Sequence, residues 1–166
     1  MSFNFLLTSL SILAFSWSCN GDMIADICAQ SKSQAISPTT CARFMRSDSR
    51  SHEATLGTLE QIAIKIAKVA VKNTMNVAKS IRDLNNTGEI SVCVKVCNIA
   101  IDILNHTTKM DKDNKQIALS GAATYVATCD DAFEMNPGDQ MPAELKEASK
   151  IAQGLILVVL IIASRP

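Results

Sequence analysis

The sequence predicts an all-α fold, an antiparallel up-and-down four-helix bundle with an N-terminal α-hairpin extension. Beyond residue 50, apolar side chains recur every three or four residues through long proline-free stretches, the period of an amphipathic helix. The composition is 48% hydrophobic but only 4% aromatic, which suits helices packed through Ala, Ile and Val better than a sheet sandwich. Spaced cysteines behind an apolar leader add the staples expected of a secreted fold.

Taken in order, Met1 to about Gly21 contains no Asp, Glu, Lys or Arg and carries the apolar run Phe3–Phe15. Residues 1–21 therefore read as a signal peptide, with small residues for cleavage at Ser16-Trp17-Ser18 or at Cys19-Asn20-Gly21, and 22–166 as one mature domain, secreted to the extracellular space. Met23–Gln34 and Pro38–Arg46 read as short helices separated by a Ser-Pro turn. A long helix is expected over about Glu53–Leu84, with Leu59, Ile62, Ile66, Val69, Asn73, Val77, Ile81 and Leu84 on one face, ending at the breaker Asn85-Asn86-Thr87-Gly88. The next, about Glu89–Thr107, places Val92, Val96, Ile99 and Ile103 together. A third, about Asn114–Glu134, aligns Ile117, Gly121, Thr124, Tyr125, Cys129 and Phe133. Met135–Met141 contains Asn-Pro-Gly-Asp and must turn. The last helix starts near Pro142 and runs to about Ser164. Its apolar run Gly154–Ala163 is too short to span a bilayer, which takes about 20 residues, so a buried helix and no membrane are expected.

Four long helices with short connections favour up-and-down topology. Of the three pairings open to Cys28, Cys41, Cys93 and Cys129, the one that respects this bundle is Cys28–Cys41, closing the hairpin, with Cys93–Cys129 tying the second long helix to the third. Cys97, one turn after Cys93, is expected to be a free, buried thiol.

The remaining chemistry is sparse. Sixteen basic and sixteen acidic residues balance, which argues against a nucleic-acid partner. His52 and His106 have no ligand spacing for zinc, and neither a phosphate-binding glycine loop nor a Gly-x-Ser-x-Gly elbow occurs. Asp111 with Asp113, and Asp130 with Asp131, read as helix-start stabilisation or solvated faces rather than acid/base pairs. An enzyme, a cofactor and a metal are not expected. Asn85-Asn86-Thr87 and Asn105-His106-Thr107 are glycosylation sequons, so Asn85 and Asn105 are candidate glycan sites.

Several stretches together resemble the plant invertase/pectin methylesterase inhibitor family. They are Ile27-Cys28 with Pro38 and Cys41, Arg46-Ser47-Asp48-Ser49-Arg50-Ser51, Cys93 followed by Ala100-Ile101-Asp102, Ser120-Gly121-Ala122-Ala123, and Thr128-Cys129-Asp130-Asp131-Ala132-Phe133. The resemblance spans essentially the whole mature chain. It implies the same hairpin, bundle and disulfide pairing, and a one-to-one inhibitory complex covering the active-site cleft of a plant cell-wall enzyme. The target implied is pectin methylesterase, with acid invertase as the alternative: Thr128–Glu134 and Pro142-Ala143-Glu144-Leu145 look like methylesterase inhibitors, and the Pro-Lys-Phe segment of invertase inhibitors is absent. By position the resemblance marks Asp102, Thr128 and Asp131 as partner contacts, and places the protein in the apoplast. Lys95 and Ile99 stand where the family often has acidic residues, and Cys97 replaces an aromatic. Two other functions are compatible with a stapled bundle, a relative without inhibitory activity and a small-molecule carrier, which would need an internal apolar cavity.

Overall fold

The computed structural model describes residues 22–31, 35–135 and 140–166. The expected signal peptide and most of the turn after Met135 lie outside the described residues. Two short helices, α1 (Met23–Gln30) and α2 (Pro38–Arg46), precede four long ones, α3 (Leu56–Leu84), α4 (Gly88–His106), α5 (Lys112–Glu134) and α6 (Ala143–Ser164). No strand occurs among the described residues.

Side-chain caps set most of these boundaries. Ser37 accepts from the Thr40 N–H at 3.1 Å and opens α2 with Pro38 in the first turn. Thr55, Thr87 and Asp111 likewise open α3, α4 and α5. The long helix expected from Glu53 starts three residues later because Asp48 first caps a separate 3-10 turn, Ser49–Glu53. The first helix is shorter than Met23–Gln34: Ser31 ends it, its hydroxyl donating back to the Cys28 carbonyl at 2.8 Å.

The long helices form a ring in which α3 touches α4 and α6, and α5 touches the same two, so α3 and α5 stand diagonally. The buried seam differs from the expected one. Large aliphatics suggested that Val69 and Leu84 face inward, but they are 64% and 90% exposed, and Ile117 is 72% exposed. The interior faces of α3 and α4 are instead Ala67, Val71, Thr74 and Ala78, and Ile90, Cys93, Cys97, Ala100 and Leu104. Ala67, Ala78 and Ala100 among them let antiparallel helix axes approach closely, while Val71, Ile90 and Leu104 keep the interior densely filled. On α6, Leu155, Ile156, Val158, Val159 and Ile162 are all buried. By length and composition this 22-residue helix could cross a membrane, yet it packs against α3, α5 and α1.

Disulfides Cys28–Cys41 and Cys93–Cys129 join α1 to α2 and α4 to α5, with Cα–Cα distances of 5.6 and 4.5 Å. Cys97 is free and buried, as its position one turn from Cys93 suggested. The hairpin seats against the bundle where Ile36 fills the notch left by Gly154 on α6. Ion pairs fasten its ends: Asp22 with Arg46, Asp26 with the C-terminal Arg165 at 2.6 Å, and Asp48 with Arg50 at 2.7 Å and with Lys65 on α3 at 3.4 Å.

Hydrogen bonds from the Arg50 side chain and backbone hold the Asp48 carboxyl well below its ordinary value of 3.8. The Arg165 and Gln30 side chains lower Asp26 in the same sense. Depressed carboxyl pKa values confer stability that is complete above the unfolded value and disappears as pH falls through the folded one. Asp48→Asn is therefore expected to melt below the native chain at pH 6, with the difference closing as both are taken well below pH 3.8. Melting curves followed by circular dichroism across that range check it; a constant difference would show that the Asp48 charge is not the cause.

Candidate docking face

The outward faces of α4 and α5 collect most of the polar residues singled out above. On α4, Ser91, Lys95, Asn98, Asp102 and Asn105 are exposed in one stripe at helical spacing. On α5, Ser120, Thr124 and Asp131 are exposed and Thr128 is half-buried, again on one side. The segment 85–135 carries seven carboxylates against four cations, whereas α3 carries five cations against two carboxylates. Zero net charge thus conceals an uneven distribution along the chain, acidic over 85–135 and basic over α3.

The Thr128 hydroxyl donates to the Thr124 carbonyl at 2.9 Å, and the Thr124 hydroxyl donates to the Ser120 carbonyl at 3.1 Å. Both protons are engaged along their own helix, so toward a partner these oxygens are acceptors. Asp131 sits one turn further on and is exposed. Asp130 points the other way. Its Oδ2 accepts from Gln153 Nε2 on α6 at 2.7 Å, and the same Nε2 donates to the buried Ser149 hydroxyl at 3.1 Å. The adjacent carboxylates accordingly serve different surfaces and make no acid/base pair. Asp130 also lies near Cys97, whose thiol is pushed up to about 12 by burial and then by this carboxylate, keeping it protonated.

The structure brings Thr128 and Asp131 together beside the Cys93–Cys129 bridge. Asp102 stands apart. It lies nine residues beyond Cys93 on α4, about 14 Å along the helix axis. Its backbone carbonyl accepts from His106 Nδ1 at 2.7 Å, which leaves the carboxylate free of that ring. Lys95 is exposed near the bridge and makes no ion pair among the described residues, so it places a cation inside this polar face. Asn85 and Asn105 are both exposed at helix ends. Among the described residues no group of three His, Cys, Asp or Glu side chains could hold a metal ion. Sequence reasoning passed over Gln153 and Ser149, the polar partners of Asp130, because they fall inside an apolar helix whose neighbours only folding decides.

The class these elements define is a disulfide-stapled four-helix bundle with an N-terminal α-hairpin. Residues 22–162 match the family model for plant invertase/pectin methylesterase inhibitors, and the chain belongs to that family. It is 29% identical over 150 residues to a pectinesterase inhibitor of Actinidia deliciosa, covering 86% of this chain and 78% of the relative. A crystal structure of a mutant pectin methylesterase inhibitor from Arabidopsis shares the fold, with a TM-score of 0.70 at 20% identity over 86% of this chain and 97% of that one.

Proposed function

We propose that this protein is a secreted inhibitor of plant cell-wall pectin methylesterase. It would act in a one-to-one complex, with the outward face of α4 and α5 closing the active-site cleft of the enzyme. The observation that carries this reading is the exposed polar face of α4–α5, with Asp102 and Asp131 on it, on a bundle of this family. The similarity to a pectinesterase inhibitor directs it toward the esterase.

Inhibition here is docking without chemistry. Two disulfides and a dense core hold the face rigid, so little conformational freedom is lost on association. Asp102 and Asp131 complement cationic or hydrogen-bond-donating groups around a carbohydrate cleft, and Thr128 adds an acceptor. Affinity governed by such charges falls with added salt. Asn85 and Asn105 are proposed glycan sites on the secreted chain.

The test is a paired titration of pectin methylesterase and acid invertase with the oxidised mature chain at mildly acidic pH and low salt. Inhibition of the esterase alone is the expected result; inhibition of invertase alone would move the target to the other enzyme class. A protein that leaves both enzymes active would be a relative that retains the bundle without inhibition, and Lys95 and Ile99 would be the first residues to revert. Thr128→Ala combined with Asp131→Ala is expected to weaken inhibition by roughly tenfold or more, the loss of two interface contacts. Helicity by circular dichroism should be unchanged, because neither side chain is buried. Full inhibition by the folded double variant would place the interface elsewhere.

A further inference from the structure

The outward face of α3 carries a second charge pattern. Lys65, Lys68, Lys72, Lys79 and Arg82 occur over this stretch with no Asp or Glu between Gln61 and Arg82. At the helical repeat they fall within an arc of about 100° and extend about 26 Å along the axis. Lys65 reaches Asp48 at 3.4 Å and Arg82 reaches Asp83 at 4.0 Å. Lys68, Lys72 and Lys79 make no ion pair among the described residues. On the neighbouring helices, α6 carries exposed Glu144 and Glu147 together with Lys146 and Lys150, and α4 carries Glu89 and exposed Asp102 together with Lys95.

The stripe borders a groove of about 460 Å³ between α3, α6 and the hairpin. Lys65, Val69 and Asn73 form its α3 wall, with Phe44 and Ile151 opposite, and the Asp48 carboxylate that lines it is held by Arg50 and Lys65. The groove is open to the surface, and it supplies apolar contact beside a row of cations. Exposed Asn73 and Asn76 add hydrogen-bonding amides between the charges.

We propose that this face binds a linear polyuronate, the carboxylate-bearing form of pectin. Three features select that occupant. A row of cations about 26 Å long fits an extended polyanion better than a compact anion. Apolar wall and amides together suit the C–H faces and hydroxyls of sugar rings. Hydrolysis of a pectin methyl ester by water releases methanol and leaves a carboxylate, so the polymer that matches the stripe is the product of the proposed target. This last argument rests on the reading of the protein as a methylesterase inhibitor. Because α3 stands diagonally across the ring from α5, polymer on α3 leaves the outward face of α5 open to the enzyme. The inhibitor would then be retained where the esterase has already worked.

The experiment measures binding of the oxidised mature chain to polygalacturonate by titration calorimetry at pH 6 and low salt, with no enzyme present. Failure of the inhibition reading therefore leaves this result standing, and the reverse also holds. Binding is expected to fall with added salt and to be absent for fully methyl-esterified polymer. Lys68→Gln, Lys72→Gln and Lys79→Gln together are expected to weaken it by roughly tenfold or more, the sum of three charge contacts, one from exposed Lys72 and two from half-buried Lys68 and Lys79. The same triple variant should inhibit the esterase as the native chain does. Equal binding by the triple variant, or equal binding of the esterified polymer, overturns the proposal. Single-stranded DNA or anionic vesicles bound as tightly, with the same lysine dependence, would also overturn it by showing a generic cationic field.

Discussion

Replacing Cys93 with Ser will lower the free energy of unfolding by roughly 4 kcal/mol, the chain-entropy value for a bridge of this span. The bridge joins positions 36 residues apart and is completely buried, so its loss frees the unfolded chain and leaves the α4–α5 contact to packing alone. For a domain stable by about 5–15 kcal/mol, that is a large share. Cys28–Cys41 spans only 13 residues, and the same reasoning gives it about 3 kcal/mol. Cys97 complicates the measurement, because it lies one turn from Cys93 and offers Cys129 a second thiol. The comparison is therefore made in a Cys97→Ser background, by denaturant unfolding at pH 6. A drop in the midpoint is expected; an unchanged midpoint would show that the bridge contributes no stability.

Gly154→Val is expected to unseat the hairpin while leaving the bundle folded. A Cβ at this position would meet Ile36 Cγ1 and Cγ2 at 2.8 Å each, with Ala35 Cβ at 3.2 Å. Both branches of Ile36 must move, which displaces the chain entering α2. Overpacking of this kind costs about 1–3 kcal/mol. The hairpin ion pairs lie at the surface and offset little of that loss. Hydrogen exchange should accelerate at the amides of α1 and α2 and stay slow in α3 to α6. Gly154→Ala with Ile36→Ala separates the clash from glycine's own helix penalty, since Ala is favoured over Gly in a helix interior by about 1 kcal/mol. Normal protection of the hairpin in Gly154→Val would show that Ile36 does not seat it.

Much of this architecture was legible in the sequence because its signals are local. Prolines and small polar residues punctuate the chain where helices end, and Thr55, Thr87 and Asp111 cap their helices through bonds spanning three residues. Of the three pairings open to four cysteines, the one expected is the one that respects the bundle, and its two bridges are the ones found. The choice of buried face was less legible. Periodicity marks a stripe but not its exact angle: large aliphatics point to Val69 and Leu84, where the bundle buries Ala67 and Ala78.

The candidate docking residues divide in the same way. Helical spacing alone puts Thr128 and Asp131 on one side of α5, but only the Cys93–Cys129 register sets their level against α4 and separates them from Asp102. Adjacent Asp130 and Asp131 look equivalent as letters; the fold turns one toward Gln153 and the other to solvent. In the sequence α3 is marked by its apolar positions, and the isolation of its lysines from carboxylates depends on what α4 and α6 place beside them. Composition, helix period and cysteine order by themselves determined the stapled four-helix class, because each acts within a few turns of chain. Which seam is buried, where Ile36 meets Gly154, and which charges remain unpaired were decided only by tertiary structure, because they depend on contacts between residues far apart in the chain.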